Sequence, residues 1–154
     1  MKKVGFISHK KQLDSSSCGA YCFSMITGKS IEESRQLCKT KKSGTYIDNI
    51  YLAFQKEGYY PKQIKVNNDW NYLKTHLRLL SNQYPVIVSG NFINQGKRGR
   101  SSNRHHCFII QNEKIYDSGE LFDIDIDCNN HLFNKKLEIK SIILVNFNEA
   151  TEFA

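Results

Sequence analysis

Residues 12–28, Gln12-Leu13-Asp14-Ser15-Ser16-Ser17-Cys18-Gly19-Ala20-Tyr21-Cys22-Phe23-Ser24-Met25-Ile26-Thr27-Gly28, carry the reading on which the rest of the chain turns. Three serines offer N-cap hydroxyls, and a helix then runs from Cys18 to a stop at Gly28. Cys18, Cys22, Met25 and Ile26 follow helical spacing and share one face. Cys18 thereby falls in the first turn, where open backbone N–H groups and the helix dipole favour a thiolate. Gly19 beside it carries no side chain, which leaves room for a substrate backbone to approach. Gln12 leads into the helix, placed to aim its amide at the same space as the Cys18 N–H. Two such donors make an oxyanion hole.

A thiolate that does chemistry needs a proton carrier. His105 and His106 open the apolar strand Cys107-Phe108-Ile109-Ile110. A base on a strand, across from a nucleophile at a helix terminus, is the thiol–imidazole arrangement of cysteine hydrolases. His106 is the first choice and His105 the alternative base in a shifted register. The chain turns at Asn112-Glu113 and returns as Lys114-Ile115-Tyr116-Asp117, which brings Asp117 level with the histidines. There it is placed to accept an imidazole N–H and hold the tautomer.

Outward from this segment, Ser30-Ile31-Glu32-Glu33 is a capping box for a helix to about Lys39. Thr45 caps a third helix, from about Tyr46 to Lys56, that buries Ile47, Ile50, Ala53 and Phe54. Residues 59–66 read as a short strand weakened by Pro61. Asp69 caps a fourth helix with Trp70, Leu73, Leu77 and Leu80 on one face. Strands follow at 85–89, 104–111, 114–117, 121–127 and 141–147, with residues 94–103 an aperiodic, exposed loop. Helices first and an antiparallel sheet after them indicate an α+β fold. No repeat or linker interrupts the 154 residues, so residues 1–154 are expected to form a single domain.

Composition excludes several classes. With 40% hydrophobic and 24% charged residues, 9 Gly and 2 Pro, the chain is neither disordered nor fibrous. Its apolar runs, 107–110 and 142–145, fall far short of the ~20 residues of a membrane span. Met1-Lys2-Lys3 has no apolar stretch behind it, so a cytoplasmic setting is expected, with no membrane partner. The five cysteines, at 18, 22, 38, 107 and 128, form no zinc-type pairs and are expected to be reduced thiols. Cys22, Cys38, Cys107 and Cys128 read as packing residues, leaving Cys18 for chemistry. The net charge of +7 is concentrated in residues 1–44 and at Lys97, Arg98, Arg100 and Arg104. No basic stripe interleaved with aromatics accompanies it, so nucleic acid is not the expected partner. Loop 95–104 reads as a lid or a selector of acidic substrates beside the histidine.

Gln12-x5-Cys18-Gly19-Ala20-x-Cys22-x-x-Met25-Ile26 resembles the nucleophile segment of papain-like cysteine peptidases. More narrowly, it is similar to the bacteriocin-processing peptidases that remove double-glycine leader peptides. Ser43-Gly44-Thr45 before a helix ending in Glu57-Gly58-Tyr59, and Tyr84-Pro85-Val86-Ile87-Val88, extend the likeness. His106-Cys107-Phe108-Ile109-Ile110 and Ile115-Tyr116-Asp117 match the family's histidine strand and the acid that follows it. The resemblance implies a papain-like fold, with an N-terminal helical lobe carrying the nucleophile helix packed on a C-terminal antiparallel sheet. It also implies a protein or peptide substrate, no cofactor and no metal. The chain departs from the family at Ser17, where the family has Asp, and at Asp117-Ser118, where it has Asp-Pro.

The expected activity is therefore that of a cytosolic, stand-alone cysteine peptidase using Cys18, His106, Asp117 and Gln12. The same constellation also serves a deamidase or an acyltransferase acting on a protein. A binding module gripping phosphate through loop 95–104 is the reading from a different class. Asp123, Asp125 and Asp127 open like a calcium loop, but Cys128 replaces the required Gly and Asn134 the bidentate Glu. Cys18, Cys22 and the histidines lack a second short-spaced ligand pair for zinc.

Overall fold

The structure is a computed structural model that describes residues 7, 10, 17–42, 44–95, 101–112, 114–117, 121–123 and 136–146. α1 spans Cys18–Thr27 and stops at Gly28, whose φ of 77° is the left-handed conformation glycine adopts without a Cβ penalty. Its other end departs from expectation. Ser17 makes no side-chain cap, and its buried hydroxyl has no hydrogen-bond partner among the described residues. Ser15 and Ser16 lie outside those residues. The capping box does form on α2, Ile31–Leu37, where Ser30 Oγ accepts the Glu33 N–H at 3.1 Å. α3, Ile47–Lys56, buries Ile50, Ala53 and Phe54. Thr45 does not cap it: Tyr46 takes the N-cap position, and the Thr45 hydroxyl pairs with that of Thr40 at 2.7 Å. Phe54 stacks between Phe23 and Tyr59, at centroid distances of 4.8 and 5.4 Å, and fixes α1 against α3. Each such buried ring contributes about 2–3 kcal/mol.

Six strands follow: β1 (Lys62–Asp69), β2 (Val86–Gln95), β3 (Ser101–Gln111), β4 (Lys114–Tyr116), β5 (Leu121–Asp123) and β6 (Lys136–Leu144). They make one sheet in the order β1-β6-β2-β3-β4-β5, antiparallel at each pairing. α4, Trp70–Ser81, links β1 to β2. On one face Ile87, Cys107, Ile109, Ile143 and Val145 pack with Cys22, Phe23, Met25 and Phe54 of the helical lobe. On the other, Val86, Val88, Phe108, Ile110 and Ile142 pack with Leu77 of α4. Burial on both faces explains why the central strands read as unbroken apolar runs. The α+β expectation of a helical lobe on an antiparallel sheet holds, with α4 added as a third layer. No described helix is long and apolar enough to cross a membrane.

The β2–β3 register runs from Val86↔Ile110 through to Gln95↔Ser101. This corrects the expected loop 94–103, and with it the basic loop 95–104. Residues 94–95 and 101–104 are strand, and only 96–100 remain, outside the described residues. Ladder hydrogen bonds are made by backbone, so an extension rich in Asn, Ser and Arg pairs without leaving any hydrophobic periodicity to read. β1 begins after Pro61, which has no N–H to give a ladder. β6 begins well before the expected Ser141 and ends at Leu144, while residues 124–127 and 147 lie outside the described set.

The β2–β6 register shifts between Ser89 and Gly90. A Cβ built on Gly90 would stand 2.3 Å from the Glu138 carbonyl oxygen, which is backbone and cannot swing aside. Gly90→Ala is expected to cost roughly 2–4 kcal/mol of stability. A urea titration that moved by less than about 1 kcal/mol would show that the bulge relaxes freely.

Candidate active site

Cys18 opens α1, half-buried, where that helix packs on β3. The missing cap has a consequence at its sulfur. A capping side chain takes the N–H of the second or third helical residue. Here no side chain takes it, and the Gly19 backbone is among the groups that favour the Cys18 thiolate. The Cys18 thiol is lowered from its ordinary value of 9.0 to about 6. A hydrogen bond with the Cys107 side chain does most of this, against the opposing effect of burial. The charge of His106 and the backbone N–H groups of Cys107 and Gly19 add to the lowering. A thiol so lowered is mostly thiolate near neutral pH.

The remaining described cysteines behave oppositely. Burial pushes Cys38 up to about 12, and it pushes Cys22 well above the ordinary range, helped by the neighbouring Cys18, Asp117 and Cys38. Cys22 and Cys38 are packing residues, as expected. Cys107 is buried as well, in the core cluster, as expected of a packing residue. Its place in the cluster with Cys22, Met25 and Phe54 sets it on the helical-lobe side of the sheet. Cys128 lies outside the described residues.

The hairpin supplies the base. Register pairs Gln111↔Lys114, Ile110↔Ile115 and Ile109↔Tyr116. One step further sets Asp117 opposite Phe108, on the pleat face that His106 shares. His106 Nε2 and Asp117 Oδ2 are hydrogen-bonded, and Asp117 is 3% exposed. With Nε2 committed to the carboxylate, a proton exchanged with the site travels through Nδ1. His105 takes the adjoining register position, opposite Asn91, and its side chain is not among those described. Gln12 and the segment around it also lie outside the described residues.

Gly19 has a different use from the one expected. A Cβ there would stand 2.7 Å from Ile50 Cδ1 and 2.9 Å from Thr45 Cβ. The glycine lets α1 close on α3 and on the segment before it, so its bare face is spent on packing and offers no room to a substrate. The room lies elsewhere. A cleft of about 320 Å³ is lined by Thr45, Tyr46 and Ile47 on the helical side and by Ser89, Asn91 and Ser141 on the sheet. Cys18, His106 and Asp117 are not among its lining residues; Thr45, which packs against Gly19, and Ser89, which pairs with Cys107, are. Among the described residues, no three His, Cys, Asp or Glu side chains converge to hold a metal.

The sequence profile described as the Peptidase C39 family matches residues 7–96, which include Cys18 and end before His106 and Asp117. Solved structures share the fold. The peptidase domain of Streptococcus ComA, a bi-functional ABC transporter involved in a quorum sensing pathway, is 22% identical with a TM-score of 0.59, over 94% of this chain and 100% of that one. A double glycine motif protease from an AMS/PCAT transporter, solved with its leader peptide, is 14% identical with a TM-score of 0.61, over 92% of each chain. The peptidase domain of Streptococcus mutans ComA bound to a small-molecule inhibitor is 20% identical with a TM-score of 0.53, over 90% of this chain and 98% of that one. No curated protein matches.

Proposed function

The chain belongs to the Peptidase C39 family, whose members are cysteine peptidases, and from that premise we propose that Cys18 is its nucleophile, His106 its general acid and base, and Asp117 the group that orients His106. The observation that carries this reading is the His106–Asp117 hydrogen bond, formed beside a helix-terminal thiol that feels the imidazole's charge. The Cys18 thiolate adds to the substrate carbonyl carbon. The resulting oxyanion is held by the Cys18 N–H and the Gln12 amide. His106 gives its proton to the departing amine, which leaves an acyl-enzyme. Water then attacks the thioester carbonyl, passing a proton to His106, and the acid product leaves with Cys18 restored.

The substrate is a peptide segment laid along the cleft from Thr45 to Ser141. The double glycine motif protease solved with its leader peptide supports a substrate of that kind, ending in small residues at the cut. A reducing compartment such as the cytoplasm suits the chemistry, because Cys18 acts only as a thiol, and the four described cysteines form no disulfide with one another.

Incubation with a peptide vinyl sulfone, followed by intact mass and peptide mapping, tests the reading. One adduct, on Cys18, is the expected result. Adducts spread over several cysteines, or none on Cys18, would remove the nucleophile from the proposal.

A further inference from the structure

β6 breaks its own alternation beside the cleft. Ile142 and Leu144 pack on the α4 side of the sheet, and Ile143 between them packs on the helical-lobe side. A regular strand would send Lys140 to the α4 side with Ile142, into an apolar core where burying an ammonium is costly. The register shows how this is avoided. From Ser141 to Ile139 β6 takes two steps where β2 takes one, from Ser89 to Gly90, so Lys140 is the extra residue of a β-bulge. Ile139 returns to the α4 side, while Lys140 lines the cleft next to Ser141. Gly90 lets the two strands come this close, since a Cβ there would meet the Glu138 carbonyl.

The bulge puts a positive charge on walls that are otherwise neutral. Among the described residues lining the cleft, Lys140 alone is charged, and the rest, from Thr45 and Tyr46 to Ser89 and Asn91, are not. Its Nζ stands 3.0 Å from Glu138 Oε2, with both side chains 43% exposed. A pair so exposed is weak, so a second carboxylate takes or shares the ammonium at little cost.

We propose that Lys140 is a specificity-determining residue, recognising a side-chain carboxylate of the peptide laid in this cleft. This rests on the reading of the cleft as the substrate site, and it adds an acidic residue to the substrate. Register also locates that residue. Gly90, between the cleft residues Ser89 and Asn91, pairs with His106 on its β3 side and with Ile139 on its β6 side. β6 therefore lies two strands, about 10 Å, from the strand of the proposed base. An extended peptide rises about 3.3 Å per residue, so the carboxylate belongs about three residues from the bond cut.

The test uses the full chain and a set of short peptides with a central Gly-Gly. Each carries Glu, Gln or Lys at one position, two to four residues to either side of the bond after Gly-Gly, and kcat/KM is read by mass spectrometry. Wild type is expected to favour Glu over Gln about fivefold at one of these positions, through KM, and less so at high salt. Lys140→Met, which keeps the stem and removes the charge, should bring that ratio below about twofold while cutting the Gln peptide as wild type does. Lys140→Arg should retain the preference, and Lys140→Glu should transfer it to the Lys peptide. These readouts separate recognition from a structural role, which would change all the peptides alike. No preference for Glu in wild type, or an undiminished one in Lys140→Met, would overturn the proposal. A wild type that cuts no peptide of the set removes the peptide-cleft reading beneath it, a failure that does not turn on Lys140.

Discussion

Cys18→Ala is expected to lower kcat/KM for peptide hydrolysis by about 10⁴-fold or more, effectively to background. The size follows from the absence of a substitute among the described thiols. Cys22 and Cys38 lie within reach of the same core, yet burial keeps both protonated and shuts them off from substrate. Cys107 touches the site, but without Cys18 it keeps its proton, because burial alone still disfavours its thiolate. Alanine is the best helix former and Cys18 is only half-buried, so α1 is expected to keep its place. The variant should unfold within about 1 kcal/mol of wild type. Turnover and stability together decide the matter. Hydrolysis retained at a hundredth of wild type or better, in a folded protein, would remove Cys18 from the mechanism.

What could be read from sequence here, and what could not, divides along physical lines. α1 was legible because its two ends are chemically marked: a thiol after serines at one end, and Gly28 in a left-handed cap at the other. The His106–Asp117 pair was legible because a tight hairpin has one register, and register fixes which side chains share a face. The caps were misread for a reason of competition. Ser17 and Thr45 have the right side chains, but Tyr46 takes the N-cap position of α3 while Thr45 pairs with Thr40, and Ser17 stands at the N-cap of α1 without a side-chain bond. The paired stretch of β2 and β3 beyond Ser89 was invisible because a ladder such as Asn91↔His105 to Gln95↔Ser101 is made by backbone groups, which leave no hydrophobic pattern in the sequence. Gly19 showed only a missing side chain, and nothing local tells whether the vacated space belongs to a substrate or to Ile50. Cys22, Cys38 and Cys107 were legible as core because an unpaired thiol packs like a small apolar side chain.

His106→Ala is expected to lower kcat/KM by about 10³- to 10⁴-fold, while Cys18 alkylation at about pH 7 slows by less than tenfold. The two readouts separate because His106 does two jobs of unequal weight. Its charge contributes to lowering the Cys18 thiol, but the Cys107 hydrogen bond contributes more, so the thiolate survives in part without the imidazole. The sign is fixed by which form reacts. The thiolate is the deprotonated form, so losing a positive neighbour raises the inflection above about 6 and costs reactivity only on the acid side. Protonation of the departing amine has no second source. An amine cannot leave as an anion at a useful rate, so turnover falls with the full loss of general acid catalysis. Asp117 sharpens the contrast. Asp117→Asn keeps an oxygen to accept the Nε2–H of His106 and should lose far less than Asp117→Ala, which leaves that N–H unpaired against a buried site. If His106→Ala slowed alkylation and turnover by the same factor, the imidazole would be acting only as a charge beside the thiol, and the general acid would have to be sought at His105 or elsewhere.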